Sequence, residues 1–233
     1  MEKQNLILVP GLLCDDALWE HQSRYLAETS EIKIGDVTRS ETMFGMAETV
    51  LSVAPEKFAL AGLSMGGYVA LEIMRQAPER VTKLALLDTS ARSDTEEQIR
   101  RRHHFIQLTR EGRFYEVIST LLPLFVHPDR TQDEQLCNNI REMNLRIGPQ
   151  VFMRQQASII GRPDSRKDLS TIKCPTLILC GRQDALTSLE VHEEMSSTIP
   201  KARLAIIEDC GHMSTMERPH AVTALMRDWL IYW

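Results

Sequence analysis

The stretch FALAGLSMGGYVALEIM, residues 58–74, decides the fold. Its first four residues are an apolar run of strand length, and its last seven are typical of a helix. Between them stands the pattern G-x-S-x-G, with Ser64 flanked by Gly62 and Gly66. Glycines at these positions let the backbone pass through a strained turn, which leaves the serine hydroxyl exposed in front of a helix N-terminus. The stretch therefore predicts a reactive serine on a strand-turn-helix unit.

A serine hydroxyl is a poor nucleophile until a base removes its proton, so a histidine and an acid are needed nearby. Asp184 follows the apolar run Thr176–Cys180, and His212 follows the run Leu204–Ile207. Both stand in turns at strand ends, which parallel strands bring to one edge of a sheet. The chain order Ser, Asp, His predicts a catalytic triad of Ser64, Asp184 and His212.

Asp88 is the alternative acid, because it stands directly after another strand-like run, Leu84–Leu87. Its neighbours Thr89 and Ser90 make the segment more typical of a turn or a cap. We therefore prefer Asp184 as the acid of the triad.

Short β-rich runs alternate with helical stretches along the chain, which predicts an α/β fold with a six-stranded, mostly parallel sheet flanked by helices. Most of these runs are followed by a turn residue, and several prolines stand shortly before strands or at helix exits. The six strands are expected at Leu6–Val9, Ile32–Ile34, Phe58–Ala61, Leu84–Leu87, Thr176–Leu179 and Leu204–Ile207.

The segment 92–168 breaks this alternation, because it contains helical patterns and no convincing strand. Six apolar residues within it fall at i, i+3, i+4, i+7, i+8 and i+11, which is one face of a helix. We predict a core formed by residues 1–91 and 169–233, with 92–168 inserted as a helical cap over the carboxyl edge of the sheet. The six residues of the helical face are Phe114, Val117, Ile118, Leu121, Leu122 and Phe125.

The chain resembles the α/β-hydrolase superfamily over nearly its whole length, especially the small capped esterases, lactonases and acyl hydrolases. Where many relatives have His-Gly after the first strand, this sequence has Pro10-Gly11. Four blocks together carry the resemblance: Leu8–Leu13, Gly62–Gly67, Cys174–Leu177 with Gly181–Asp184, and Cys210–Met213.

The resemblance implies roles for further residues around the triad. The tetrahedral intermediate of acyl transfer carries a negative charge, and two backbone N–H groups usually stabilise it. The resemblance assigns these donors to Met65, the residue after the serine, and to Leu12, in the loop after the first strand. We also expect Leu13, Phe125 and Met213 to line an apolar substrate pocket under the cap.

The composition indicates which classes of molecule this protein is expected to bind. The 233-residue chain has a net charge of −5, so no overall positive field attracts nucleic acid or anionic lipid, and we expect a small-molecule substrate. Its five scattered cysteines suit reduced thiols rather than a disulfide framework, and the N-terminus lacks a signal-peptide pattern, which predicts a cytoplasmic protein. We expect neither a metal nor a cofactor, because the sequence has no H-E-x-x-H, C-x-x-C or P-loop motif. The sequence does not predict the oligomeric state.

These observations predict a serine hydrolase that cleaves a small ester, lactone or thioester through an acyl-enzyme on Ser64. One alternative is an enol-lactonase or a carbon-carbon bond hydrolase, with Arg154 or Arg162 holding a substrate carboxylate. The other is a receptor-like module that binds its ligand without catalysis or reacts with it in a single turnover, since a fold can be reused for binding.

Overall fold

The computed structural model describes residues 3–233, and within that range the chain forms one sheet of six strands. All pairings between neighbouring strands are parallel. The predicted α/β fold is confirmed, and each predicted strand lies within an observed one. The strands are β1 (Gln4–Val9), β2 (Ser30–Ile34), β3 (Phe58–Leu63), β4 (Val81–Leu87), β5 (Thr176–Gly181) and β6 (Ala202–Ile207).

The strand order across the sheet, β2-β1-β3-β4-β5-β6, determines where a ligand can bind. From β1 the chain proceeds outward to β2, and it then returns to place β3 on the other side of β1. The loops after β1 and β3 therefore diverge and leave a crevice at the carboxyl ends of these two strands, where open α/β sheets bind ligands. Leu12 follows β1 and Ser64 follows β3, so both predicted groups border this crevice.

Two hydrophobic cores lie on opposite faces of the sheet. Alternate residues of β1 contribute to each, with Leu6 and Leu8 on one face and Ile7 and Val9 on the other. All residues of β3 are buried, as expected for a central parallel strand covered by helices on both sides. The sheet thus provides a rigid support for the loops at its carboxyl edge.

Within residues 3–233, nine α-helices accompany the sheet, and none of the helices in this range is long and apolar enough to cross a membrane. They are α1 (Glu20–Leu26), α2 (Met43–Val53), α3 (Met65–Gln76), α4 (Glu96–Arg110), α5 (Phe114–Phe125), α6 (Glu134–Ile160), α7 (Leu189–Thr198), α8 (Ser214–Glu217) and α9 (Pro219–Tyr232).

Helices α4, α5 and α6 occupy the chain between β4 and β5, where the sequence predicted an all-helical insertion. The six apolar residues predicted as one face of α5 are the six that this helix buries. Burial of each such side chain stabilises the fold by roughly 2 kcal/mol. Helix α6 is interrupted at Gly148, whose φ of 77° lies in the left-handed region and is followed by Pro149.

Candidate active site

Ser64 alone joins β3 to α3, so the strand-turn-helix unit has the shortest possible turn. The serine adopts φ 55° and ψ −118°, a conformation that non-glycine residues rarely take. A Cβ at Gly62 would lie 2.7 Å from the amide nitrogen of Gly67, so a side chain there would collide with the first turn of the helix. The Ser64 N–H donates to the carbonyl of Leu87 on β4 at 2.9 Å, which ties the turn to the sheet.

The structure brings Ser64, His212 and Asp184 together in one chain of hydrogen bonds. The Oγ of Ser64 lies 2.8 Å from Nε2 of His212, and Nδ1 of the same ring lies 2.8 Å from Oδ2 of Asp184. Asp184 also accepts from the N–H groups of Leu186 and Thr187, and from the Thr187 hydroxyl at 2.6 Å. Thr187 was not predicted from the sequence, although an Asp three residues before a Thr is a recognisable turn signal.

The charges of Asp184 and His212 each shift the pKa of the other group. Burial raises the pKa of Asp184, but the His212 charge and the hydrogen bonds from His212 and Thr187 outweigh it, and the pKa lies below its ordinary value. Burial lowers the pKa of His212, but the charge and hydrogen bond of Asp184 outweigh it and leave the pKa above its usual 6.5, with smaller contributions from Asp88 and Glu217. The carboxylate therefore stabilises an imidazolium, which is the form that a general base reaches when it takes a proton.

Asp88, the alternative acid, does not contact His212. Its Oδ1 accepts from the N–H of Gly181 at 2.9 Å, and its Oδ2 accepts from the N–H and the hydroxyl of Ser214. Asp88 thus connects the end of β5 to the first residue of α8. Burial and then the nearby Asp184 charge raise the pKa of Asp88 to about 8, against the effects of the His212 charge and the two hydrogen-bonded partners.

The two predicted N–H donors lie at the same crevice as Ser64. Met65 is the first residue of α3, so its N–H has no acceptor within the helix. Leu12 lies in the loop after β1 and borders the cavity that also contains Ser64 and His212. The Cβ of an alanine at Gly11 would lie 3.3 Å from the Leu63 carbonyl oxygen, which shows how closely this loop passes the end of β3.

Leu13 was expected to line the substrate pocket, and the structure places it elsewhere. Its side chain is fully buried in the core and is not among the residues that border the cavity. The reason is the backbone: Leu13 adopts φ 61°, and two buried amides of α6 hold its peptide groups. Its N–H donates to Oε1 of Gln155 and its carbonyl accepts from Nδ2 of Asn144, both at 3.0 Å.

A cavity of about 290 Å³ lies between the carboxyl edge of the sheet and the helical insertion. Phe125 and Met213, both predicted, border it, and the Phe125 ring lies stacked at 6.3 Å from the His212 ring. Most of the other lining residues were not predicted from the sequence, although Leu121 shares the predicted face of α5. Further lining residues include Tyr68, Ser90, Arg92, Asp94, Gln98, Arg101, Arg102, Phe105, Leu121, Gln156, Ile159 and Arg162.

Neither arginine named for a substrate carboxylate has a free guanidinium at the cavity. Arg154 is not a lining residue and donates to the carbonyl of Thr38 at 3.0 Å. Arg162 borders the cavity, but it donates to the carbonyls of Arg92 and Ile159, and it stacks over the Tyr68 ring. Arg162 therefore holds the segment after β4 in place.

Similarity to known proteins extends over most of the chain. The sequence pattern of the family described as "alpha/beta hydrolase fold" matches residues 51–219, a range that contains Ser64, Asp184 and His212. The chain belongs to the α/β-hydrolase family. The predicted family resemblance is thereby confirmed, and the sheet described above is that of this family.

The curated relatives of this α/β-hydrolase include esterases and lipases. It is 24% identical to the pimeloyl-(acyl-carrier protein) methyl ester esterase of Aromatoleum aromaticum, over 98% of this chain and 98% of that protein. It is 26% identical to a monoacylglycerol lipase of Bos taurus, over 98% of this chain and 75% of that protein. Together with the family match, these relatives identify the chain as a carboxylic ester hydrolase.

Solved structures agree with this assignment. A thermophilic esterase from Thermogutta terrifontis, with malate bound, superposes with a TM-score of 0.89 at 30% identity, covering 97% of this chain and 89% of that chain. An enol-lactonase from Burkholderia xenovorans superposes with a TM-score of 0.87 at 20% identity, covering 99% and 92%. At this lower identity the likeness shows the fold alone.

Proposed function

We propose that this α/β-hydrolase cleaves small carboxylic esters through an acyl-enzyme formed on Ser64. The observation that carries the proposal is the continuous chain of 2.8 Å hydrogen bonds from Ser64 through His212 to Asp184. A serine, a base and a third group that orients the base are the parts that nucleophilic acyl transfer requires.

In the acylation step, Oγ of Ser64 attacks the ester carbonyl carbon while Nε2 of His212 takes the hydroxyl proton. The carbonyl oxygen becomes an oxyanion that the N–H groups of Leu12 and Met65 stabilise, each by about 3 kcal/mol in the transition state. The tetrahedral intermediate collapses as His212 returns the proton to the leaving alcohol. Water then attacks the acyl group on Ser64, again with His212 as base, and His212 returns this proton to Oγ of Ser64 as the carboxylic acid is released. Asp184 stays ionised and holds the imidazole tautomer throughout.

The cavity supports a small substrate. Its volume of about 290 Å³ is at the lower end of the range for small-molecule sites. Residues 92–168 act in this proposal as the cap that selects the substrate, because they supply Phe125 and much of the remaining wall. Lactones and thioesters have the same acyl carbonyl, so both belong to the proposed substrate range, and a carboxylic acid is the product in each case.

The test replaces Ser64 with alanine and measures turnover of short p-nitrophenyl esters, lactones and thioesters. We expect turnover to fall at least a thousandfold in Ser64→Ala, with the circular dichroism spectrum unchanged. Ser119→Ala is the matched control: Ser119 is an exposed serine on α5 that donates to the Tyr115 carbonyl, and its loss should leave turnover unchanged.

A second measurement separates an enzyme from a binding module. Intact mass spectrometry after exposure to a fluorophosphonate should show one adduct on wild-type protein and none on Ser64→Ala. Wild-type protein that forms a lasting adduct with a p-nitrophenyl ester but releases no acid would support the receptor-like alternative. Undiminished turnover by Ser64→Ala would remove the serine from the mechanism.

A further inference from the structure

The walls of the cavity carry a charge opposite to that of the whole protein. The chain has a net charge of −5, yet four arginines and a single aspartate border the cavity. Charges in a partly enclosed site act through a lower effective dielectric than charges on the surface, so they attract an opposite charge more strongly. The charged lining residues are Arg92, Asp94, Arg101, Arg102 and Arg162.

Part of this positive charge is neutralised by ion pairs. Arg92 pairs with Glu194 at 2.8 Å and with Glu190 at 3.0 Å, so its charge is fully compensated. Asp94, whose side chain is almost completely buried, pairs with both Arg102 and Arg162. One carboxylate shared by two guanidinium groups leaves one positive charge in excess on this wall.

Arg101 adds a second uncompensated charge. It lies on α4 beside Arg102, is exposed, and borders the cavity. Throughout residues 3–233, no carboxylate oxygen lies within 4.0 Å of its guanidinium. Its neighbour Arg100 does not border the cavity and pairs with Glu96 at 3.6 Å. Successive helical residues point about 100° apart, which explains why only one of these two arginines faces the cavity.

The N–H groups of Arg101 and Arg102 that have no acceptor among residues 3–233 form a polar wall of the cavity. Arg102 donates through Nε and Nη2 to Asp94 and through Nη1 to Oε1 of Gln156, which leaves one N–H on each of its terminal nitrogens. The apolar wall is formed by Leu121 and Phe125 of α5 together with Met213. The cavity is therefore amphiphilic, with Ser64 in the same enclosed space.

We propose that Arg101 and Arg102 bind an anionic group of the substrate, a carboxylate, while its apolar part lies against α5 and its ester carbonyl reaches Ser64. This inference rests on the function proposed above and narrows it to esters that carry a carboxylate. The carboxylate belongs either to the acyl part or to the alcohol part, since both parts of an ester share the cavity. Guanidinium groups suit this task because their planar N–H groups match the two oxygens of a carboxylate.

The experiment compares matched charged and neutral substrates in wild-type protein, Arg101→Gln and the control Arg100→Gln. The acyl arm uses p-nitrophenyl hemiglutarate against p-nitrophenyl valerate, and the alcohol arm uses 3-acetoxybenzoate against phenyl acetate. In one arm we expect the charged-to-neutral ratio of kcat/KM to fall about tenfold or more in Arg101→Gln, chiefly through KM. Arg100→Gln should keep the wild-type ratio and turn over the neutral esters as wild type does.

The outcomes separate this inference from the function on which it rests. Arg101 is exposed, so its replacement should leave the fold intact, and an unchanged circular dichroism spectrum checks this. A charged-to-neutral ratio that is the same in Arg101→Gln, Arg100→Gln and wild type in both arms would overturn the inference, while turnover of valerate would leave the esterase proposal standing. Absence of turnover of all four esters by wild-type protein would contradict the esterase proposal itself.

Discussion

Replacement of Gly66 with alanine tests how closely the turn at Ser64 and the loop after β1 must approach each other. The new Cβ would lie 2.7 Å from the carbonyl carbon of Val9 and 2.8 Å from the carbonyl oxygen of Pro10, whereas ordinary contact begins at 3.4 Å. The Val9 carbonyl oxygen would lie nearer still, so the end of β1 with its following loop and the first turn of α3 must separate by more than 0.7 Å, which is the shortfall of the 2.7 Å contact against 3.4 Å. This displacement widens the gap between the N–H groups of Leu12 and Met65, which in the proposed mechanism both reach one oxygen at about 3 Å.

The expected cost follows from this displacement. A shift approaching 1 Å in a catalytic constellation lowers the rate by about 100-fold, so kcat for p-nitrophenyl acetate should fall by that factor in Gly66→Ala. Helix propensity alone predicts that Gly→Ala stabilises a helix by about 1 kcal/mol. The backbone collision should reverse this sign and lower the free energy of unfolding by about 2 kcal/mol.

The assay measures kcat per fluorophosphonate-reactive site together with urea unfolding, so that loss of folded protein is not mistaken for loss of catalysis. Gly161→Ala is the matched control, because its Cβ would meet nothing closer than 3.6 Å. It should leave both quantities near wild type. A Gly66→Ala protein that is as stable and as active as this control would show that catalysis does not depend on the close approach of β1 to α3.

Three further predictions concern the titratable groups. Asp184→Asn should lower kcat about 10⁴-fold with KM nearly unchanged in steady-state ester hydrolysis, because the asparagine favours the wrong imidazole tautomer. Since Asp184 raises the pKa of His212, and the base must be neutral, kcat/KM should rise with pH through a midpoint above 6.5; a lower midpoint would contradict the assigned partner. The pKa of Asp88 is raised to about 8 in the folded protein. Between about pH 4 and pH 8 the folded protein therefore keeps a proton on Asp88 that the unfolded chain has lost. The stability that this group contributes falls as the pH rises through that range. Asparagine has no such proton, so the Tm difference between Asp88→Asn and wild type should become more positive from pH 5 to pH 8 in thermal denaturation; a constant difference would exclude this effect.

The predictable part of this site depends on short-range signals. The G-x-S-x-G pattern occupies five consecutive residues, and Asp184 and His212 each stand in the short turn that follows an apolar run. A parallel sheet then brings these three strand ends together without further information, because all its carboxyl ends face the same way. The buried face of α5 was predictable for a similar reason, since helical spacing identifies it within twelve residues.

The parts that the sequence did not predict depend on contacts between distant segments. Asp88 is read locally as a turn residue, and only the folded chain places it against Gly181 and Ser214. Leu12 and Leu13 are adjacent leucines, and the positive φ of Leu13 sends its side chain into the core rather than the cavity. The availability of an arginine likewise depends on its partners: Arg162 borders the cavity but is already bonded to carbonyls of neighbouring segments.

The two hydrogen bonds that Asn144 and Gln155 make to the backbone of Leu13 have a consequence for engineering. The insertion and the core are not interchangeable modules, because the insertion helps to shape the loop that follows β1. A chimera that receives the insertion of a relative should keep its reaction rate only if the donated helix brings an amide donor and an amide acceptor to the same two places. Libraries of exchanged insertions would therefore yield more active members if these two side chains were retained in every recombinant.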